Sequence, residues 1–151
     1  MADEALKELY NDQVMALARD VPRQERLDAP DATAQQVSPL CGSRITVDLK
    51  LEGDRIADYG QTVRACTLGQ AAASILARHV IGRSTAELHR VRTEMRAMLK
   101  EGGPPPGPPW SDLEVLLPAR GVKSRHGSVL LPFEAVVKAL NQAAGQSEND
   151  R

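Results

Sequence analysis

Cys41 and Cys66 are the only two cysteines in this 151-residue chain. Two thiols can hold a metal, carry sulfur as a persulfide, or close one disulfide under oxidising conditions. They are too few for a disulfide framework, and in a reducing compartment they read as thiols, metal ligands or catalytic groups. The plainer alternative is a pair of small buried apolar side chains, a common fate of free cysteine. Three histidines are the other soft donors. His79 falls at the end of a predicted helix, where a donor helps the last carbonyls. His89 falls on the polar side of another helix. His126 sits beside Lys123 and Arg125, where a solvated loop histidine is the alternative to a ligand. No Gly-rich phosphate loop, nucleophile elbow or paired-carboxylate motif is present, so nothing supports enzymatic turnover.

The charge balance narrows the classes further. Nineteen Lys plus Arg against 20 Asp plus Glu leave a formal net charge of −1, without the excess of cations that a nucleic-acid surface requires. Tyr10, Tyr59, Trp110 and Phe133 are too few and scattered for a base-stacking platform. No apolar run approaches the roughly 20 residues of a membrane span. Asp3, Glu4, Glu8 and Asp12 make the opening too acidic for a signal or transit peptide. The expectation is a soluble, cytoplasmic, single-domain protein over residues 1–144, with a polar flexible tail at 145–151.

The elements that must position the thiols follow from periodicity. Leu6, Leu9, Tyr10, Val14 and Leu17 form one apolar stripe, a helix ended by Pro22. Residues 32–37 read weakly as a short strand. Ile45, Val47, Leu49 and Leu51 alternate with Arg44, Thr46, Asp48 and Lys50, the period of a half-buried strand. After the turn residues Glu52, Gly53 and Asp54, a second run extends from Ile56 to Ala65, which predicts an antiparallel hairpin. Leu68, Ala72, Ile75 and Leu76 line a helix over 67–80. Ser84 and Glu87 form a capping box for the next helix, whose buried face is Leu88, Val91, Met95, Met98 and Leu99. Residues 102–109, GGPPPGPP, hold five of the ten prolines and must be an exposed, semi-rigid connector. A short helix follows, with Ser111 and Glu114 as its capping box. A last helix, predicted from Pro132, buries Phe133, Val136, Val137 and Leu140. The fold class is α+β, a small antiparallel three-stranded sheet covered on one face by helices.

The hairpin converts sequence separation into distance. With its turn near Gly53 and Asp54, facing residues have numbers adding to 107 or 108, and Cys41 with Cys66 adds to 107. The two therefore fall at the same open end, where opposed Cβ atoms lie about 4.5–5.5 Å apart. A bulge near Ala57 and Asp58, where the alternation changes phase, shifts the register by one. Cys66 immediately precedes a helix, whose free N–H groups favour a thiolate. Gly42 gives the backbone after Cys41 freedom to approach closely. Arg44, Arg64 and Arg125 either gather around the thiols or are solvated edge residues, and the second reading is preferred for Arg44.

Several motifs in this order resemble the scaffold proteins of iron–sulfur cluster assembly, the IscU, SufU and NifU-N-terminal family. Leu9-Tyr10 resembles the family's Leu-Tyr opening, and Asp20-Val21-Pro22-Arg23 stands where an Asn-Pro-Arg-Asn loop is common. Cys41-Gly42-Ser43 with its following strand resembles the first ligand loop. Ala65-Cys66-Thr67-Leu68, with the small residues 71–74 behind it, resembles the second ligand cysteine and its helix. Arg125-His126-Gly127-Ser128-Val129-Leu130 resembles the third ligand segment. Residues 98–117 resemble the insertion of the SufU branch. Against that pattern, Ser43 replaces the family's aspartate and Gly127 its third cysteine, and the chaperone signal is missing, Leu117-Pro118-Ala119-Arg120 being a poor match.

The resemblance implies the IscU/NifU-N-like sandwich and a non-enzymatic scaffold with Cys41 and Cys66 as ligands and His126 as a third. It implies a labile iron–sulfur cluster, [2Fe–2S] as the leading type, or zinc. The implied partners are a cysteine desulfurase and acceptor apoproteins, with no nucleic acid and no membrane, and a homo-oligomer that completes the ligand set is compatible with it. Two alternatives stay open: a persulfide-accepting sulfur relay, and a degenerate scaffold acting as an interaction protein without metal.

Overall fold

The computed structural model describes residues 8–39 and 42–149, with side chains through residue 145. Three antiparallel strands, β1 (Ala32–Ser38), β2 (Ser43–Glu52) and β3 (Arg55–Arg64), lie in the order β1-β2-β3. Around them are α1 (Asp12–Arg19), α2 (Thr67–His79), α3 (Thr85–Lys100), 3-10 helices at Ser111–Gly121 and Lys123–Arg125, and α4 (His126–Asn149). This is the α+β sheet-and-helix arrangement that the periodicity predicts.

Alternation along the strands decides which sheet face the helices cover. Ala32, Ala34, Ile45, Val47, Leu49 and Tyr59 are buried on the inner face, each removing apolar surface from water at about 25 cal/mol per Å². On that face α4 packs across β1 and β2, while α2 lies between α1 and α4. The small residues Ala71, Ala72, Ala73 and Ser74 are all fully buried, which lets α2 pack closely on more than one side. Gln61 is the polar exception on the inner face. It accepts from the Tyr59 hydroxyl at 3.2 Å and donates to Pro22 O at 3.0 Å and Ala73 O at 3.4 Å, so it is satisfied where a lone amide would be costly.

The β2–β3 register shifts between Lys50 and Leu51, leaving Ala57 without a partner. That is the predicted bulge. From Arg44↔Arg64 to Lys50↔Asp58 the facing numbers add to 108. The free edge of β3 is covered twice. Arg23 O accepts from Gln61 N–H at 3.0 Å and Gln24 Oε1 from Val63 N–H at 3.2 Å. At the other end, Ile56 exchanges hydrogen bonds with Arg83 O and Gly82 N–H. Capping an edge in this way prevents strand addition by another chain. Arg23 adopts φ 58° to do so, a conformation that non-glycine residues rarely take.

Four local expectations are corrected. Leu6 of the first apolar stripe lies outside the described residues, and the rest is not one helix: Glu8 and Leu9 are helical, but Asn11 starts α1 anew, its Oδ1 accepting from Val14 N–H at 2.9 Å. An Asx side chain competes with the helix ladder and wins as a cap. Ser111 does not cap its segment, which is a 3-10 helix with Trp110 at its head and Pro118 inside. The last helix starts at His126 rather than near Pro132, which lies within it, and it runs past Gly145. Asp48, predicted on the polar face, is fully buried. Its carboxylate accepts from Arg26 Nε (2.6 Å) and Nη2 (3.1 Å), Thr33 Oγ1 (2.6 Å) and Leu27 N–H (3.1 Å). The 23–27 segment thus closes over the outer face of the sheet.

The Ser84 cap holds, accepting from Glu87 N–H at 3.2 Å. Residues 102–107 are irregular, as their composition predicts. None of the helices, among the described residues, is long and apolar enough to cross a membrane.

Candidate functional site

The open end of the β2–β3 hairpin, the end of β1 and the starts of α2 and α4 converge on one rim. Cys66 is the N-cap of α2, with φ −66° and ψ 171°, and its side chain makes no cap hydrogen bond. It is partly buried, packed against the edge of the core. Its carbonyl accepts from Gln70 N–H at 2.9 Å, the first turn of the helix. Its own N–H donates to Ser43 Oγ at 3.4 Å. Ser43 therefore ties the start of β2 to the start of α2, and it is itself buried.

Cys41 lies outside the described residues. Its flanks are defined: Ser38 pairs with Ser43 at the mouth of the β1–β2 connection, and Gly42 N–H donates to Ser38 O at 2.9 Å. Gly42 takes φ 71°, the left-handed region that suits glycine. Because the strand register adds to 108 at this end, its continuation sets Gly42 level with Cys66, one residue from the spacing expected for Cys41.

The third-ligand segment reaches the same rim. Gly127 is exposed, and a Cβ built on it would lie 2.8 Å from Ser38 Oγ. Its neighbour Ser128 is fully buried. A Cβ on Gly69 of α2 would stand 3.3 Å from Ser128 O, so α2 and α4 approach closely just behind Cys66. Ser38 had no place in the sequence reading, and Ser128 entered it only as part of the third-ligand segment. Only the pairing of Ser38 with Ser43 across the β1–β2 turn could have signalled the first.

His126 is buried, and its Nε2 lies 3.0 Å from Ala119 O and 3.1 Å from Arg120 O. Both partners are carbonyls, so Nε2 carries the hydrogen, and in the neutral ring only Nδ1 keeps a lone pair. The imidazole thereby braces the junction between the 3-10 segments and α4. Among the described residues no three His, Cys, Asp or Glu side chains are grouped to hold a metal. His79 is also engaged, its Nε2 2.9 Å from Asp112 Oδ2 and its ring edge-on to Trp110 at 5.9 Å. Its partner is thus a side chain of the 3-10 segment, while the expected role was with its own helix carbonyls.

The charge at the rim is positive. Arg44 and Arg64 face each other directly across β2 and β3, are exposed, and have no carboxylate partner among the described residues. Like charges in direct opposition are unfavourable in a sheet, but solvent screens this pair. Beside the start of α2 opens a cavity of about 400 Å³ whose walls include Arg19, Asp20, Gln24, Thr67 and Gln70.

Comparison with known proteins places this geometry. Residues 9–108 match the family described as the NifU-like N terminal domain. That segment includes Cys41 and Cys66 and stops short of His126. A crystal structure of a nitrogen-fixing NifU-like protein (N-terminal) from Brucella abortus is 40% identical, with a TM-score of 0.92 over 93% of this chain and 98% of that one. A structure from Fervidobacterium islandicum AW-1, described as an iron–sulfur cluster assembly scaffold protein for the SUF system, shares the fold. Its TM-score is 0.78 at 18% identity, over 87% of this chain and 96% of that one. No curated protein sequence matches significantly. With about two thirds of its length matched by the family and its fold shared over 93% of the chain, this chain belongs to the NifU-like N-terminal domain family.

Proposed function

We propose that this protein is a scaffold for iron–sulfur cluster assembly, non-enzymatic, receiving iron and sulfide as cargo on the thiolates of Cys41 and Cys66. The observation that carries the reading is the convergence at one rim. Cys66 caps α2, its N–H meets Ser43, two residues after Cys41 in the chain, and Gly127 of the third-ligand segment stands at the same edge against Ser38. Thiolates are the donors that select iron–sulfur clusters and zinc.

The donor set is short of the four ligands a [2Fe–2S] cluster takes. His126 would contribute through Nδ1, since its other nitrogen is held by carbonyls. The remaining ligand would come from a second copy of the chain or from the protein that supplies the sulfur. Zinc, satisfied by two sulfurs, one nitrogen and a water, is the alternative occupant. The proposed partners are a cysteine desulfurase and acceptor apoproteins in the cytoplasm, acting on one domain that spans residues 1–144.

A sulfur-relay reading is favoured by the glycine at 127. With only two thiols, Cys66 thiolate attacks the outer sulfur of the desulfurase persulfide, forming a Cys66 persulfide and releasing the enzyme's thiolate. Anaerobic reconstitution with ferrous iron and sulfide separates the two. A scaffold gains visible charge-transfer absorption and stoichiometric iron and sulfide, which Cys41→Ser and Cys66→Ser abolish and His126→Ala weakens. A relay shows no cluster but is persulfide-labelled, and the label is lost in Cys66→Ser. If neither cysteine variant alters metal content, sulfur uptake or partner binding, both readings fail and an interaction protein without metal is left.

A further inference from the structure

A cavity of about 450 Å³ lies at the end of α3, lined by Leu99, Lys100, Gly102, Arg120, Lys123 and His126. Three of these six side chains are cations, a fourth is a histidine, and none is acidic. They come from the end of α3, the connector after it (Gly102), the two 3-10 segments and the first residue of α4. Arg120 is locked in place, its Nε donating to Met98 O at 2.7 Å and its Nη2 to Gly103 O at 2.6 Å. Both acceptors are neutral, so the guanidinium is oriented without being neutralised. Lys100 and Lys123 are exposed and have no ion pair among the described residues.

The chain as a whole carries a formal charge of −1, so this concentration of cations is local. Other arginines do meet carboxylates: Arg26 with Asp48, Arg83 with Glu87, Arg90 with Glu94 and Arg96 with Glu134. The carboxylate next in sequence, Glu101, does not line this cavity but an adjoining groove with Arg92 and Arg96, and Lys100 stands between the two. The cavity volume falls in the range of about 300–1,000 Å³ that holds small ligands, and Leu99 supplies an apolar wall. The edge of the Arg120 guanidinium that the Met98 and Gly103 carbonyls leave open, flanked by two exposed ammonium groups, matches a multiply charged oxyanion.

We propose that this cavity binds a small polyanion bearing phosphate or carboxylate groups, gripped by Arg120 and enclosed by Lys100 and Lys123. The site uses neither cysteine, and of the residues proposed to hold the cluster it shares only His126.

The metal-free full chain is titrated separately with pyrophosphate and with citrate, followed by calorimetry and amide chemical-shift mapping. At least one anion binds, and which one tells whether phosphate or carboxylate is the preferred group. Shifts fall on residues 99–102 and 120–126, and Lys100→Gln/Lys123→Gln weakens binding about tenfold or more. Arg44→Gln/Arg64→Gln and Cys41→Ser/Cys66→Ser leave it unchanged. The proposal is overturned if neither anion binds, if the lysine pair variant binds equally well, or if the shifts map to Arg44 and Arg64. The mapping on the unmodified chain decides the matter even if a variant fails to fold.

Discussion

Gly127 and Ser38 are in contact across the rim: the site of an absent Cβ on the first lies 2.8 Å from the hydroxyl oxygen of the second. Glycine at 127 and serine at 38 therefore form a matched pair, in which the hydroxyl occupies space that any larger residue at 127 would claim. A serine hydroxyl can rotate, so the clash is moderate, about 1 kcal/mol at the low end of overpacking costs.

That contact yields the first prediction. Gly127→Cys alone folds with a lowered denaturation midpoint, and combining it with Ser38→Ala removes the close contact, since the serine Cβ is 3.7 Å from the added atom. If the cysteine reading of the rim is right, the double variant binds Zn²⁺ or a reconstituted cluster more tightly than the parent chain, measured by competition with a chromophoric chelator. Equal affinity would place residue 127 outside the ligand shell.

Asp48 gives a pH dependence. Burial pushes its carboxyl upward, but hydrogen bonds from Arg26, Thr33 and the Leu27 N–H, with the guanidinium charge, outweigh burial and hold it below its ordinary value of 3.8. A depressed acid stabilises the fold above its unfolded pKa and loses that contribution as pH falls through the lower folded value. Urea midpoints should therefore drop below about pH 4, and Asp48→Asn should flatten that part of the profile. At pH 7, Asp48→Ala costs about 1–2 kcal/mol, because the hydrogen bonds from Arg26, Thr33 and the Leu27 N–H are lost while these partly exposed donors turn to water.

A methyl at Gly60 would run into the backbone carbonyl of Glu25, and a backbone atom cannot rotate away. Gly60→Ala should cost about 2 kcal/mol and expose the amides of Leu27 and Gln61, which hydrogen exchange would register first. If protection there is unchanged, the 23–27 segment does not depend on that close approach.

Trp110, the only tryptophan, is fully buried and donates from Nε1 to Glu87 Oε2 at 2.8 Å. Trp110→Phe leaves Glu87 without this donor and should cost about 1–3 kcal/mol, read from thermal unfolding by circular dichroism. Glu87→Gln keeps an acceptor oxygen and should cost less.

Much of the framework was legible in the residues alone. The alternation from Arg44 to Leu51, the Gly53–Asp54 turn, the phase change at Ala57 and the Ser84 cap are all short-range signals, in which a side chain's neighbours in sequence are also its neighbours in space. So is the position of Cys66 just before a helix, because capping depends on the residue and the turn that follows it. The order of the family motifs likewise needs no coordinates, only spacing.

Tertiary structure decided the rest, for one physical reason: these features depend on contacts between distant segments. Asp48 is buried because Arg26 and Leu27, far back in the chain, fold over it. His126 presents one nitrogen to two carbonyls of the preceding segment, which no pattern around it announces. Ser38, Gly127 and Ser128 reach the rim of Cys66 only when β1, α2 and α4 pack together. The unneutralised cations of Lys100, Arg120 and Lys123 meet only because the 3-10 segments return beneath α3, and solvation rather than sequence proximity determines what that charge can attract.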